Sequence, residues 1–402
     1  MTENVNQAPP LAGIRVVDLT HFQAGPMAAM MLADMGAEIV KIEPPGKGDN
    51  YRRIGNTYVG GENTYFLSVN RNKQSVTVNL RTDEGRQIVR DLAKTADVFM
   101  ENFRPGVVRD LGLDYERIRE LNPRIVYCSV SAFGQSGPLS DKPGIDPIMQ
   151  GIGGIMSITG FQDRPPAMVG APVADTTGAI LAAYGVTLAL LARMRDGEGQ
   201  KIEVSLLDGV LTLLTPREGL YFGAGIVPQR WGSAHAQHVP HQAFPTADGY
   251  INVDVLHDED WHSLCRALEQ EDLALDERYS SKAARVERRD ELVAKLEAVF
   301  RTRTSAEWLE RLAAADVISG PIHTLDQILE HPQVQHNEMV VSLPHPTVGE
   351  VRMLGVPVKL ARTPAQVRTA PPLLGQHTDD VLARELGLTT EQIEGLRSRG
   401  II

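Results

Sequence analysis

Apolar and polar positions along the first third of the chain switch repeatedly between a strand rhythm and a helix rhythm. Gly13-Ile14-Arg15-Val16-Val17-Asp18-Leu19 is a short β-rich run, closed by the turn residues of His21-Phe22-Gln23-Ala24-Gly25-Pro26. Met27 to Met35 has helical composition with Gly36 placed to end it, and Ala37-Glu38-Ile39-Val40-Lys41-Ile42-Glu43 reads as the next strand. Strand, helix and strand within about 30 residues make a βαβ unit, and such units build parallel sheets.

After the Gly/Pro-rich loop 44–63 the alternation resumes. It predicts a strand over 75–80, an amphipathic helix from Asp83 to Ala96, a strand over 97–102, a helix from Tyr115 to Leu121 and a strand from Ile125 to Ser131. Lys201 to Ser205 reads as one more strand, with Leu206 to Leu214 helical after it. The expected fold is therefore α/β, a doubly wound and largely parallel sheet. Ligands of such folds collect beyond the strand carboxyl ends, here Thr20–Gln23, Asn102–Arg104 and Ser131–Gln135.

From Tyr221 to Pro245 the text is loop-like, and Gly249 to Val255 opens a second, smaller α+β unit. Helical patterns follow at Asp258–Leu268, Val286–Phe300 and Ser305–Ala314. The tail is β-rich again at 349–353 and 356–360 and closes with helices over 376–387 and 389–399. We expect a large domain over 1–224 that includes a helical linker, a small domain over 225–330, and a return over 331–402 to the large one.

Composition narrows the function classes. Over 402 residues, 42% hydrophobic and 23% charged describes an ordinary globular protein, and a net charge of −11 argues against a nucleic-acid partner. Residues 41–124 differ, carrying 15 Lys/Arg against 12 Asp/Glu, a balance of +3. That segment suits a phosphorylated small molecule, or simply solvated helix faces. Cys128 and Cys265 match no metal or redox spacing, which makes a reducing compartment the default. Met1 to Pro10 has neither a basic nor an apolar export region. The apolar run Gly178 to Arg193, broken by Tyr184 and Thr187, falls short of the roughly 20 residues of a membrane span and reads as a buried core helix.

Asp175 stands at the mouth of that run. A carboxylate there is a favoured helix N-cap; it is also, beside the glycine-rich stretch Gly151 to Gly160, a candidate nucleophile kept ionised by the helix dipole. Two other patterns point elsewhere without completing a site. Gly151-Ile152-Gly153-Gly154 lacks the full dinucleotide spacing, and His235, His238 and His241 recur every third residue around Pro240 without the Cys or carboxylates of a metal set.

Seven segments, in order, resemble the class III CoA transferases: Gln23-Ala24-Gly25-Pro26, Gly36 to Glu43, Asn72 to Val76, Glu101-Asn102-Phe103-Arg104-Pro105-Gly106, Gly134 to Pro138, Phe244 to Gly249 and Leu374 to Thr378. The formyl-CoA and carnitine CoA transferases belong to that family, and the racemases of 2-methylacyl-CoA share its fold. The resemblance implies an interlocked homodimer and a catalytic aspartate at Asp175. It implies coenzyme A contacts at Gln23 and Ala24, at Val78, Asn79 and Arg81, at Asn102, Phe103 and Arg104, and at Asp146, with Arg109 and Lys142 as phosphate-binding cations. It implies no permanently bound cofactor, only an acyl-CoA and a carboxylic acid as partners; the incomplete ligand set, the unpaired cysteines and the absent export signal add the expectation of no metal and of the cytoplasm.

This chain departs from the formyl-CoA transferases at Pro44, where they carry an arginine; Lys47, Arg52 and Arg53 are the nearby substitutes. Their glycine-rich flap has no counterpart here. Ile145 stands where the racemases have a histidine, and a carbon-acid racemase needs a base on each face of its substrate. The expected reaction is therefore transfer of CoA between an acyl-CoA and an organic acid, with racemisation or isomerisation of a 2-methylacyl-CoA as the alternative.

Overall fold

Strand β1 (Arg15–Asp18) is the middle of a six-stranded sheet, because its residues are apolar on both sides and can be covered twice. Its partners are β2 (Glu38–Glu43), β3 (Lys73–Thr77), β4 (Val98–Glu101), β5 (Val126–Ser131) and β6 (Lys201–Ser205). They lie in the order β3-β2-β1-β4-β5-β6, every pair parallel. In this computed structural model residues 8–402 are described; the first residues of the segment tested for an export signal lie outside them.

Alternate residues of each strand feed two cores. Val16, Val98 and Met100 pack with helix α1 (Ala24–Asp34) and the long α4 (Val173–Asp196), whereas Val17, Phe99 and Tyr127 pack with α2 (Asp83–Ala93) and the closing helices α5 (Thr378–Leu386) and α6 (Thr390–Ser398). The chain ends inside the second core, where the Asn79 amide nitrogen donates to the Ile401 carbonyl at 2.7 Å.

At 24 residues α4 exceeds the expected run, and it is long and apolar enough to cross a membrane by length and composition. Its Ala174, Gly178, Ala182, Val186 and Ala189 face the core, and the small residues let neighbouring helices approach closely: a Cβ on Gly178 would lie 2.4 Å from a methyl carbon of Leu206, in the helix Leu206–Thr212, and 3.9 Å from the Cβ of Ala24 in α1. That pattern belongs to a core helix.

The described chain forms two compact units. The first holds the described residues through Ile155, with Val169–Gly219 and Pro332–Ile402; the second holds Met156–Met168 and Leu220–His331. The second has its own three-stranded antiparallel sheet, His241–Pro245, Tyr250–Asp254 and Ser319–Pro321, over a core of Phe244, Trp261, Tyr279, Phe300 and Trp308. Two local expectations fail. The stretch 221–245 is not all loop, since helix Arg217–Ala224 enters it and strand His241–Pro245 closes it. No strand forms over 356–360; Gly349–Leu354 pairs instead with Val340–His345, whose Pro344 and His345 disguise it.

At the carboxyl ends of β1 and β2, reached by the Lys73 side chain from the start of β3, lies a buried ion network. Lys73 is enclosed and bonds Asp18 (3.2 Å), Asn70 (2.9 Å) and the Pro26 carbonyl (2.8 Å). Lys41 pairs with Asp49 at 2.8 Å. Arg52 grips Glu43 with two nitrogens at 2.7 and 2.8 Å and lies 3.5 Å from the Phe66 ring centre. Burial alone pushes Glu43 up; Arg52, Lys41 and the Ser75 hydroxyl overcome it and hold the carboxyl at about 2.

Because that value is below the unfolded one, Glu43 contributes stability above about pH 4.5 that is lost as pH falls toward 2. Arg52→Met takes the guanidinium from a buried carboxylate that keeps only the Ser75 hydroxyl, the Asp49 N–H and the nearby Lys41, and should destabilise by about 3 kcal/mol at pH 7, with the deficit shrinking below pH 4. Urea titrations at pH 7 and pH 3.5 check it; equal deficits at both would contradict the pairing.

Candidate active site

The amino end of α4 carries the densest convergence of expected site residues. Asp175 is not the N-cap: Pro172 holds that place without a side-chain bond, and Asp175 sits in the first turn. The capping acceptor comes from outside, because Oδ1 of Asp146 takes the backbone N–H of Ala174 at 2.7 Å and of Asp175 at 3.2 Å. Its Oδ2 takes the Gln150 side-chain amide at 2.7 Å. Asp146 and Gln150 are one turn apart on helix α3 (Asp146–Ile152), and Gln150 Oε1 in turn accepts the Val169 N–H at 2.8 Å. Gln150 is a site residue that sequence reasoning missed, although its i+4 spacing from Asp146 is a legible signal.

This arrangement corrects two expectations. The helix dipole was expected to keep Asp175 ionised, as a carboxyl with an ordinary value near 3.9 is at neutral pH. Burial instead pushes Asp175 up to about 7, and the like charge of Asp146 adds to it. For a reacting oxygen the sequence offers the N–H groups of the helix start after Asp175 or those of the Gly151–Gly160 segment; at the helix start, those of Ala174 and Asp175 are taken by Asp146, and that of Thr176 by the Pro172 carbonyl at 2.9 Å. Gly153 serves packing, since a Cβ there would fall 2.5 Å from Val210.

The loop after β1 supplies the second cluster. Gln23 precedes α1, and its Oε1 accepts the Tyr51 hydroxyl at 2.9 Å. Ala24 is buried beside Gly178 of α4. Asn102 locks this loop to the end of β4: its Oδ1 accepts the His21 N–H and its Nδ2 donates to the His21 carbonyl, both at 2.8 Å. Phe103 stands edge-on to His21 at 5.6 Å. Arg104 and Lys142 are exposed.

Other expected contacts lie apart from the Asp175 cluster. Val78 is a core residue, which leaves only its backbone for a ligand. Asn79 Nδ2 bonds the Gly400 carbonyl at 3.1 Å and its Oδ1 the Arg81 N–H at 3.1 Å, and the Arg81 side chain is exposed. Arg109 lines a cavity of about 370 Å³ with Glu101, Tyr127, Ser129, Gln135 and Lys201. Burial pushes Glu101 up to about 7 against the opposing bonds from Ser129 and Phe103. Of the three substitutes for the arginine missing at Pro44, Arg52 is spent on Glu43, while Lys47 and Arg53 are exposed.

In the second unit His235, His238 and His241 do sit together, with ring centres 4.5 to 6.1 Å apart. His241 pairs with Asp254 at 2.7 Å and His238 with the Lys282 ammonium at 3.1 Å, and no group of three or more metal-type side chains with metal-binding geometry occurs among the described residues.

Residues 11–378 match the model of CoA-transferase family III. The chain belongs to that family. The enzyme is 40% identical to the succinyl-CoA:glutarate CoA-transferase of Mus musculus over 98% of its own length and 90% of the mouse protein's. It is 36% identical to the succinyl-CoA–D-citramalate CoA-transferase of Chloroflexus aurantiacus, covering 98% of each chain. The crystal structure of a CAIB/BAIF family protein from Brucella suis superposes with a TM-score of 0.87 at 34% identity, over 94% of this transferase and all of that chain.

Proposed function

We propose that this CoA transferase exchanges CoA between an acyl-CoA and a dicarboxylic acid through covalent intermediates on Asp175. The observation that carries the reading is the Asp175 carboxyl, held in the first turn of α4 by a neighbouring aspartate and raised by burial to about 7. A carboxylate of raised basicity is a better nucleophile than an ordinary one, yet is still substantially ionised at neutral pH. The named relatives, which act on glutarate and D-citramalate, support a dicarboxylic acceptor.

In the proposed cycle an Asp175 oxygen attacks the donor thioester carbonyl and expels CoA thiolate, leaving a mixed anhydride. The thiolate attacks the Asp175 acyl carbon, releases the donor acid and forms an aspartyl-CoA thioester. The acceptor carboxylate attacks that thioester and expels the thiolate again. Finally the thiolate takes the acceptor's acyl carbon, and Asp175 leaves as free carboxylate. One thioester is broken and one made, so neither ATP nor water enters.

The anhydride and the thioester are both hydrolysable, so the pocket must exclude water, and each tetrahedral step needs a donor for the oxyanion. With the α4 amides taken, the Gln23 amide is the donor we assign. Asn102, Phe103, Arg104, Arg109, Lys142 and Arg81 remain the proposed CoA contacts, the cations serving its phosphates.

We also propose the doubly wound, interlocked homodimer. It is supported by an apolar stripe on α4, where Ile180, Tyr184, Leu188 and Leu191 recur at helical spacing and are 45 to 62% exposed. The two cysteines, both buried and free, fit the cytoplasm. Ile145 caps α3 without a side-chain bond and brings no second base, so the racemase alternative is not favoured.

Incubation with succinyl-CoA and hydroxylamine should convert Asp175 to its hydroxamate, read by peptide mass spectrometry, and the same donor in deuterated water should keep an unlabelled α-carbon. An untouched Asp175 beside continuing exchange would sink the covalent route.

A further inference from the structure

The donor assigned to the oxyanion is an amide, which presents either an oxygen or an NH2 according to how it is turned. A wrongly turned Gln23 would place a lone pair against a developing negative charge. Something must fix its sense, and the surrounding geometry supplies it. Phe22, just before Gln23, has φ +65°, a conformation that costs a bulky side chain energy and needs enforcing. The enforcer is Asp49: its Oδ1 accepts the N–H of Phe22 at 3.0 Å and of Tyr51 at 2.9 Å, so one oxygen ties the loop bearing Gln23 to the turn bearing Tyr51. Lys41 anchors the other Asp49 oxygen at 2.8 Å. The Tyr51 ring is held between Phe22 and Tyr65, with centres at 5.9 and 5.6 Å.

We infer that Tyr51 is a positioning residue for the transfer reaction, whose hydroxyl donates to Gln23 Oε1 and so commits the Gln23 NH2 to the reacting thioester or anhydride oxygen. Burial and then the nearby carboxylates, Asp175 first, raise the phenol well above its ordinary range, so it keeps its proton at every working pH and can act toward Gln23 as a donor. The inference rests on the reading of Asp175 as nucleophile, and the test separates the two.

Tyr51→Phe keeps the ring contacts and removes only the hydroxyl. It should lower kcat about tenfold, the worth of one well-aligned hydrogen bond, with KM for acyl-CoA within about twofold. Gln23→Ala should lose more than that. The double variant should equal Gln23→Ala alone, because the hydroxyl has nothing left to orient. Multiplying losses, an undisturbed kcat in Tyr51→Phe, or an undisturbed kcat in Gln23→Ala would each overturn the inference. Asp175→Ala is run alongside: full exchange in it removes the nucleophile reading, whereas its inactivity combined with multiplying losses removes the Tyr51 role alone.

Discussion

Asp175→Asn should abolish CoA exchange and yield a more stable protein. Asparagine matches the shape but cannot form an anhydride, so kcat/KM is expected to fall by at least about 10⁴-fold, the scale on which nucleophile replacements act. The stability gain follows from the sign of the shift. The folded carboxyl, raised to about 7, prefers its neutral form; the unfolded one ionises near 4. The native state is therefore unpenalised below about pH 4 and loses stability as pH rises from there through 7. Asparagine escapes that loss. About 3 pKa units correspond to about 4 kcal/mol, and allowing for the part-exposed position we expect about 2 kcal/mol. Melting curves should coincide near pH 4 and separate by several degrees at pH 8, the variant higher. The wild-type kcat/KM should fall on the acid side with an apparent pKa near 7. A variant that melts lower at pH 8, or a wild-type activity flat down to pH 5, would remove the buried-nucleophile account.

Two substitutions of Asp146 should separate its two roles. Asp146→Ala orphans two donors at once, the N–H groups of Ala174 and Asp175, and leaves the Gln150 amide only its longer bonds to the Val169 and Ala171 carbonyls at 3.3 and 3.4 Å. With a helix cap worth about 1 kcal/mol and unmet buried donors costing about as much each, the loss should reach about 2 to 3 kcal/mol. As the first turn of α4 frays, Asp175 loses its aim, and kcat should drop on the order of 10²-fold. Asp146→Asn keeps an oxygen for the two N–H groups but removes the like charge beside Asp175. The acid limb of kcat/KM should then move to lower pH, by less than about one unit because burial is the larger cause. Circular dichroism melts and pH–rate profiles of both variants decide the matter, and an acid limb moving upward in the asparagine variant would contradict the proximity of the two carboxyls.

Much of this was written in the sequence. Period-2 and period-3.6 patterns located the six parallel strands, because a strand buried on both faces is a continuous apolar run such as Val16-Val17 or Val98-Phe99-Met100. Motif resemblance marked Asp175, Asp146, Gln23 and Asn102. What sequence could not supply were relations between residues far apart in the chain. Arg52 read as a substitute phosphate-binding cation and Lys73 as part of a family motif, and only the fold shows each enclosed against a partner, Glu43 and Asp18. Tyr51 carried no signal, since its meaning lies in a hydroxyl 2.9 Å from a residue 28 positions away.

The sequence by itself determined the layered α/β architecture, the family and the candidate nucleophile, because these depend on local periodicity and on short contiguous motifs. Only the tertiary structure decided that Asp146 rather than Asp175 caps α4, that the helix amides are already spent, and that Asp175 stands near 7. Those properties arise from burial and from like charges brought together across 29 residues, and no local pattern encodes either.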